Sequence, residues 1–150
     1  MKVAIGFDHA GVRHKSAIAG YLRARGHRVL DKGTTGDDAV DYPDYARAVA
    51  ESVRRGESDR GVLVCGSGVG MCIAANKVKG VRAALVWTPK VARLAAEHNH
   101  ANVLCLAGRF FTSKEIVRML GAWLGASYVP GRHARRVKKI SAMEKGECGC

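Results

Sequence analysis

The chain has 150 residues, of which 47% are apolar and 25% are charged, proportions typical of one soluble globular domain spanning residues 1–150. It lacks an apolar run of about 18 residues and reaches Asp8 and His9 too early for a signal peptide, so we expect a cytoplasmic protein with no membrane partner. The net charge of +12 indicates an anionic partner, and the scarcity of aromatic residues (6%) favours a small metabolite over nucleic acid.

Short apolar segments alternate with helical patterns along the chain. Strands are predicted at residues 2–7, 61–66 and 102–107, with weaker candidates at 27–32 and 81–87. The first helix is predicted to stop at Gly26, and further helices are predicted at 43–55, 68–77, 89–98 and 113–124. This alternation predicts an α/β fold, in which a five-stranded parallel sheet carries helices on both faces.

The segment from residue 131 to the C-terminus is predicted to form a helix and a tail. Val137, Ile140 and Met143 give this helix one apolar edge among several cations, which is too little to cover the core alone. We therefore expect residues 131–150 to pack against a partner subunit of a homodimer. Arg132 and Arg136 stand one helical turn apart and suit a phosphate group, with a solvated basic helix as the alternative.

The carboxyl ends of the strands are the expected ligand site, because parallel sheets of this kind bind ligands there. This rule selects the loops at 8–11, 65–70 and 107–110, and we expect the polar segment 97–102 to meet them at the same edge. Asp8 and His9, adjacent at the end of the first strand, are candidates for ligand contacts. His98 and Asn99 are candidates for acid–base work near neutral pH.

The loop GSGVG (66–70) follows a strand and opens a helix, so its N–H groups suit an anion. It is neither a P-loop nor a good dinucleotide fingerprint, and a tight turn without a ligand is the alternative. Cys65 directly precedes this loop. A buried apolar cysteine is the usual reading of such a residue, but a thiol beside these donors should ionise more easily and act as nucleophile or base.

The remaining cysteines and histidines are expected to have structural roles. Cys72 and Cys105 are predicted to be small buried side chains, and Cys148 and Cys150 to lie in a frayed tail. The cysteine spacing argues against a structural zinc ion, and we predict no metal site. His14 and His27 are expected to cap backbone carbonyls.

Several stretches in one order, including FDHAG, DYPDYA, CGSGVGMCIAANK, HNHANVLCLAGR and GRHARRV, strongly resemble the type B ribose-5-phosphate isomerase family. The resemblance runs from residue 2 to about residue 144, and the wider group includes galactose-6-phosphate isomerase subunits. It implies a three-layer Rossmann-like sandwich, no cofactor and no metal, and a homodimer or dimer of dimers whose sites draw on both chains.

The reaction implied by the resemblance is the interconversion of D-ribose 5-phosphate and D-ribulose 5-phosphate through an enediolate. Isomerisation of a hexose 6-phosphate, such as allose or galactose 6-phosphate, is the alternative within the same class. A non-catalytic basic domain that binds phosphorylated ligands or nucleic acid is a distant alternative, and it would show strongly salt-dependent binding.

The resemblance also implies the roles of individual residues. Cys65 would be the catalytic base, because Met71 stands where another subgroup has a carboxylate. His98 would help to open the furanose ring. The enediolate would be held by Ser67 and by the N–H groups of the loop, which are those of Gly66, Ser67, Gly68, Val69 and Gly70. The remaining contacts would come from Asp8 and Asn99 to the sugar hydroxyls and from His9, Arg109, Arg132 and Arg136 to the phosphate.

Overall fold

The fold is taken from a computed structural model of the chain, which describes residues 1–144. Over these residues the strands are β1 (Lys2–Phe7), β2 (Arg28–Asp31), β3 (Arg60–Cys65), β4 (Ala83–Leu85) and β5 (Val103–Ala107). The helices are α1 (Lys15–Ala24), α2 (Tyr42–Arg54), α3 (Val69–Ala75), α4 (Pro89–Asn99), α5 (Ser113–Leu124) and α6 (Gly131–Met143). A short 3₁₀ turn at Val12–His14 leads into α1.

The strands form one parallel sheet in the order β2-β1-β3-β5-β4. The register sets Phe7 beside Val64 and Cys65 beside Ala107, so the carboxyl ends of β1, β3 and β5 are neighbours. From β1 the chain continues to β2 on one side, and from β3 it continues to β4 and β5 on the other side. The strand order therefore reverses between β1 and β3. The crevice outside this reversal is the position where such sheets bind ligands.

Helices cover both faces of the sheet, which confirms the predicted three-layer α/β fold. On one face, β-strand side chains such as Ile5, Val64 and Leu104 pack against α1, α4 and α5. On the other face, Leu63, Cys65 and Cys105 pack against α2 and α3. The sheet is therefore buried on both sides, as the nearly continuous apolar strands predict.

Most predicted elements match the observed ones to within two residues, and β1 and α5 match in full. The predicted strand at 81–87 is longer than β4, which spans Ala83–Leu85 at the edge of the sheet. The side chain of Asn76 bonds both the N–H and the carbonyl of Ala83, each at 2.9 Å. At the outer edge of β4, the backbone N–H and carbonyl of Ala83 are therefore hydrogen-bonded by a side chain instead of by another strand.

The predicted C-terminal helix is observed as α6, which packs against α4. His133 is its buried residue, whereas Ile140 and Met143 are exposed. The end of the predicted tail, with Cys148 and Cys150, lies outside the described residues. Within residues 1–144, no helix combines the length and the apolar character that crossing a membrane requires.

Candidate active site

The loops that follow β1 and β3 form the centre of the candidate site, at the carboxyl edge of the sheet. Asp8 is buried, and its Oδ1 accepts hydrogen bonds from the N–H groups of Ala10 and Gly11, both at 2.9 Å. His9 beside it is half-buried, and its Nδ1 accepts from the N–H of Val40 at 3.3 Å. These bonds hold both side chains in the loop that follows β1, at the carboxyl end of that strand.

Cys65 ends β3 with 4% of its surface exposed, on the face covered by α2 and α3. Its Sγ accepts a hydrogen bond from the N–H of Gly68 at 3.2 Å. The sulfur is therefore directed at the glycine loop, as the proximity of the two in the sequence predicts. The backbone carbonyl of Cys65 accepts a hydrogen bond from the N–H of Gly108 at 2.7 Å, which fixes the end of β3 to the loop after β5.

The glycine loop has a geometry that depends on Gly68. This residue has φ +77°, and a Cβ there would lie 2.5 Å from Cδ1 of Leu85. The N–H of Val69 donates to Oγ of the exposed Ser67 at 3.4 Å. The N–H groups of Gly68 and Val69 thus donate within the loop, and the assignment of all five N–H groups of residues 66–70 to a ligand stays a prediction.

Two long side chains border this loop. A Cβ on Gly66 would lie 3.4 Å from Cδ and Nε of Arg109. Arg109, which is predicted to bind the phosphate, therefore lies against the start of the loop. A Cβ on Gly70 would lie 2.5 Å from Cζ of the Tyr42 ring. Tyr42 is absent from the residues predicted for the site, because the sequence around it indicates only that a helix begins at Pro43. It contacts the loop through the tertiary packing of α2 on α3.

His98 and Asn99 lie at the opposite end of the sheet, where the strands begin, which we call the amino edge. They end α4, which returns from the carboxyl end of β4 to the start of β5. From Val103 to Ala107 a strand advances about 13 Å, so His98 of one chain is remote from Cys65. The expectation that the segment 97–102 joins the other loops at one edge is therefore wrong for a single chain, because it precedes a strand instead of following one.

A second cluster of predicted site residues assembles at this amino edge. The rings of His98 and His133 stack with centroids 4.0 Å apart and planes 10° apart. The pKa of His133 is lowered, first by burial and then by the charges of His98, Arg132 and Arg136. We call His98, Asn99, Arg132, His133 and Arg136 the amino-edge cluster. The carboxyl-edge cluster consists of Asp8, His9, Cys65, residues 66–70 and Arg109.

Cys72 is less buried than the small buried side chain that the sequence predicts. It is half-buried on α3, and its Sγ lies 3.4 Å from the carbonyl oxygen of Ala83. A hydrogen bond with Cys105 is the largest of the effects that lower the pKa of Cys72 to about 7, whereas burial raises the pKa of Cys105. Cys105 itself is fully buried, as predicted. The contact between the two thiols arises from packing of α3 on β5, which the sequence does not reveal.

Comparison with known families gives a match to the ribose/galactose isomerase family over residues 3–140. The chain belongs to this family. Among relatives of this isomerase chain, ribose-5-phosphate isomerase B of Escherichia coli (strain K12) is 45% identical over 144 residues. That match covers 96% of the chain and 97% of the relative.

Solved structures of such isomerases share the fold of this family member. Ribose-5-phosphate isomerase B of Clostridium thermocellum is 47% identical with a TM-score of 0.95, covering 99% of this chain and all of that one. The enzyme of Mycoplasma genitalium with bound ribulose 5-phosphate is 46% identical with a TM-score of 0.92, covering 96% of each chain. The predicted family resemblance and the Rossmann-like sandwich are thereby confirmed.

Proposed function

We propose that this chain is a ribose-5-phosphate isomerase, which interconverts D-ribose 5-phosphate and D-ribulose 5-phosphate through an enediolate. The observation that carries the proposal is the contact between the Cys65 sulfur and the N–H of Gly68, since it joins a base to an anion-binding loop. The full-length similarity to isomerases of this name, one of them with ribulose 5-phosphate bound, supports the substrate.

The reaction needs a base that moves one proton and donors that stabilise an oxyanion. A Cys65 thiolate would take the proton from C2 of the open-chain aldose and return it to C1, while the proton of the C2 hydroxyl passes to the oxygen on C1, giving the ketose. Ser67 and the N–H groups at the start of α3 would bind the enediolate oxygen, because the first turn of a helix leaves its N–H groups without carbonyl partners in the helix. These donors are held in place before substrate arrives, so little reorganisation is required.

Binding residues from both clusters complete the assignment. His98 would assist opening of the furanose ring, and Asp8 and Asn99 would bind sugar hydroxyls. The phosphate would be held by the cationic or imidazole side chains of His9, Arg109, Arg132 and Arg136. Remote phosphate binding holds the reactive carbons against the base, so it contributes to turnover as well as to affinity.

The separation of the two clusters supports a homodimer in which each site uses both chains. One subunit would supply the carboxyl-edge cluster and its partner the amino-edge cluster. Exposed apolar side chains on α3 (Val69, Ile73) and on α6 (Ile140, Met143) offer a surface for this contact. A groove of about 520 Å³ beside β4, lined in part by Ile140 and Met143, adds to it. A dimer of dimers is the larger assembly to be distinguished, and light scattering on the purified protein measures the difference.

A hexose 6-phosphate is the alternative substrate, and the family description that covers galactose isomerases favours testing it. We also infer that the enzyme acts in the cytoplasm, since its proposed base is a free thiol and its substrate a phosphorylated metabolite. Neither a cofactor nor a metal is needed for the proton transfer proposed, because the chain supplies the base and the oxyanion donors.

A side-by-side rate assay tests the proposal. Purified protein is given ribose 5-phosphate, allose 6-phosphate or galactose 6-phosphate, each with and without a chelator. We expect the highest kcat/KM with ribose 5-phosphate and no change on chelation. Faster turnover of a hexose 6-phosphate would mean that this sugar, and not ribose 5-phosphate, is the substrate. Loss of activity with the chelator would contradict a mechanism without a metal.

A further inference from the structure

His14 has an unusual environment for a histidine near a helix start, because its ring is buried and hydrogen-bonded on both sides. It is 2% exposed. Its Nδ1 lies 2.8 Å from Oγ of Ser113, and its Nε2 lies 2.8 Å from the carbonyl oxygen of Gly108. Nε2 also lies 3.1 Å from Nε of Arg13, which donates towards it, so Arg13 and the Gly108 carbonyl both contact the same ring nitrogen. The ring therefore connects the start of α1 to the loop after β5.

The carbonyl that His14 binds belongs to the turn that carries Arg109. Gly108 donates its own N–H to the carbonyl of Cys65 at 2.7 Å, and Arg109 donates its N–H to the carbonyl of Gly66 at 3.0 Å. Arg13 donates a hydrogen bond to the Gly108 carbonyl through Nη2. The turn is thus bonded on one side to the proposed base and its loop, and on the other side to His14 and Arg13.

This arrangement fixes the peptide group from which the Arg109 side chain begins. The Arg109 side chain extends over Gly66, within van der Waals contact of the position a Cβ would take there. A rotation of the Gly108 peptide would therefore move the guanidinium relative to the glycine loop. His14 and Arg13 hold the Gly108 oxygen together, and the His14 ring is the enclosed member of this pair, with contacts at both nitrogens.

We propose that His14 is a positioning residue that holds the Gly108–Arg109 turn, and so keeps the Arg109 guanidinium over the glycine loop. This inference rests on the proposed function, in which Arg109 binds the substrate phosphate. His14 touches no substrate atom in this scheme and acts through Arg13 and the Gly108 carbonyl. Its loss should weaken phosphate binding more than it slows proton transfer, because Cys65 and Gly68 keep their own contact.

Two amide substitutions separate positioning from simple packing. His14→Gln carries an amide about as far from the backbone as Nε2, and this amide can still reach Arg13 and the Gly108 carbonyl. His14→Asn is of the same chemistry but too short to reach them. We expect His14→Asn to raise KM for ribose 5-phosphate about tenfold with kcat within about threefold of wild type, and His14→Gln to stay within about threefold for both.

A double-mutant cycle with Arg109→Ala gives the decisive readout. If His14 acts through Arg109, His14→Asn should raise KM less than about twofold in the Arg109→Ala background. The inference is overturned if the fold-changes in KM of His14→Asn and Arg109→Ala simply multiply in the double variant. Equal KM values for the Asn and Gln variants would overturn it as well. His27→Asn is the matched control, since it lies before β2 at the amino edge, and it should leave both constants unchanged.

Wild-type turnover tests the proposed function separately from the role of His14. The dissociation constant for inorganic phosphate, measured by calorimetry on the same variants, reports the position of Arg109 without requiring catalysis. We expect the Asn variant to bind phosphate more weakly than the Gln variant by about the factor seen in KM. Equal phosphate affinity in the two variants would reject the positioning role even if the wild-type enzyme isomerises ribose 5-phosphate.

Discussion

His98 stacks on His133 with ring centroids 4.0 Å apart, and this contact joins the end of α4 to the basic face of α6. The proposed ring-opening residue and the proposed phosphate ligands Arg132 and Arg136 therefore belong to one cluster in one chain. Cys65 lies at the other edge of the sheet. A site that uses all of these residues has to be built from two chains, which leads to a direct test.

Mixing two inactive variants should restore activity. Cys65→Ala and His98→Ala each remove one half of every site in their own homodimer. In a mixed dimer, one site combines the intact Cys65 of one chain with the intact His98 of the other, and the second site lacks both. Random assortment puts half of the chains in mixed dimers, so co-expression should give about a quarter of the wild-type rate.

Co-expressed variants are to be compared with the same variants purified separately and assayed without subunit exchange. Those samples should show only background turnover. If co-expression also gives only background, although mixed dimers are isolated by two affinity tags, the shared site is contradicted.

Cys65→Ala should abolish isomerisation without abolishing substrate binding. Removal of a proton-transfer group typically lowers kcat by about 10³-fold, whereas the phosphate contacts made by arginine side chains remain. The measurement is kcat together with the dissociation constant of ribulose 5-phosphate by calorimetry. Cys72→Ala is the matched control and should keep most of the activity, since Cys72 faces Ala83 and Cys105. An active Cys65→Ala enzyme would require another residue as the base.

Cys72 should react with alkylating agents at neutral pH although it is half-buried. Its pKa is lowered to about 7, so about half of the thiol is ionised at pH 7, and only the thiolate is nucleophilic. In a Cys65→Ala background, iodoacetamide labelling followed by mass spectrometry should give a rate that rises with a midpoint near pH 7. The fully buried Cys105, whose pKa is raised, should stay unlabelled in the native protein. A midpoint at the ordinary cysteine pKa of about 8.5 would contradict the effect of the Cys105 contact.

Two glycine substitutions should change the free energy of unfolding in opposite directions. Gly68→Ala forces a side chain into a φ of +77° and within 2.5 Å of Leu85, so we expect a loss of about 2 kcal/mol. Gly20→Ala lies within α1, where a Cβ meets no atom within 4 Å, and should stabilise by up to about 1 kcal/mol. Urea denaturation at matched protein concentration measures both.

The opposite result for Gly68→Ala, a protein as stable as wild type, would mean that the loop adopts another backbone conformation. Activity provides a second readout for this variant. The Cys65–Gly68 hydrogen bond depends on the left-handed turn, so loss of stability should be accompanied by a lower kcat.

The sequence predicted much of the fold because its signals are local. β1 and β3 are apolar runs that end at polar or glycine residues, and Thr112 with Glu115 forms the capping box that starts α5. Alternation of strands and helices then leaves few arrangements other than a parallel sheet, since crossovers are right-handed. The same signals located the carboxyl-edge candidates Asp8, His9 and Cys65, because each ends or follows a strand at the edge where ligands bind.

Contacts between distant segments were decided by the tertiary structure. The placement of His98 away from Cys65 follows from the direction of α4, the contact of Cys72 with Cys105 from packing of α3 on β5, and the burial of His14 from the path of the loop after β5. None of these produces a periodic or compositional pattern, since each joins residues far apart in the chain. The amino-acid sequence by itself determined the elements and their order, because these depend on local propensity and apolar spacing. It also indicated the family, through the resemblance of its motifs. Only the tertiary structure divided the candidate residues between two edges of the sheet. Each strand runs through the core, so residues that precede a strand and residues that follow one lie at opposite ends of the parallel sheet.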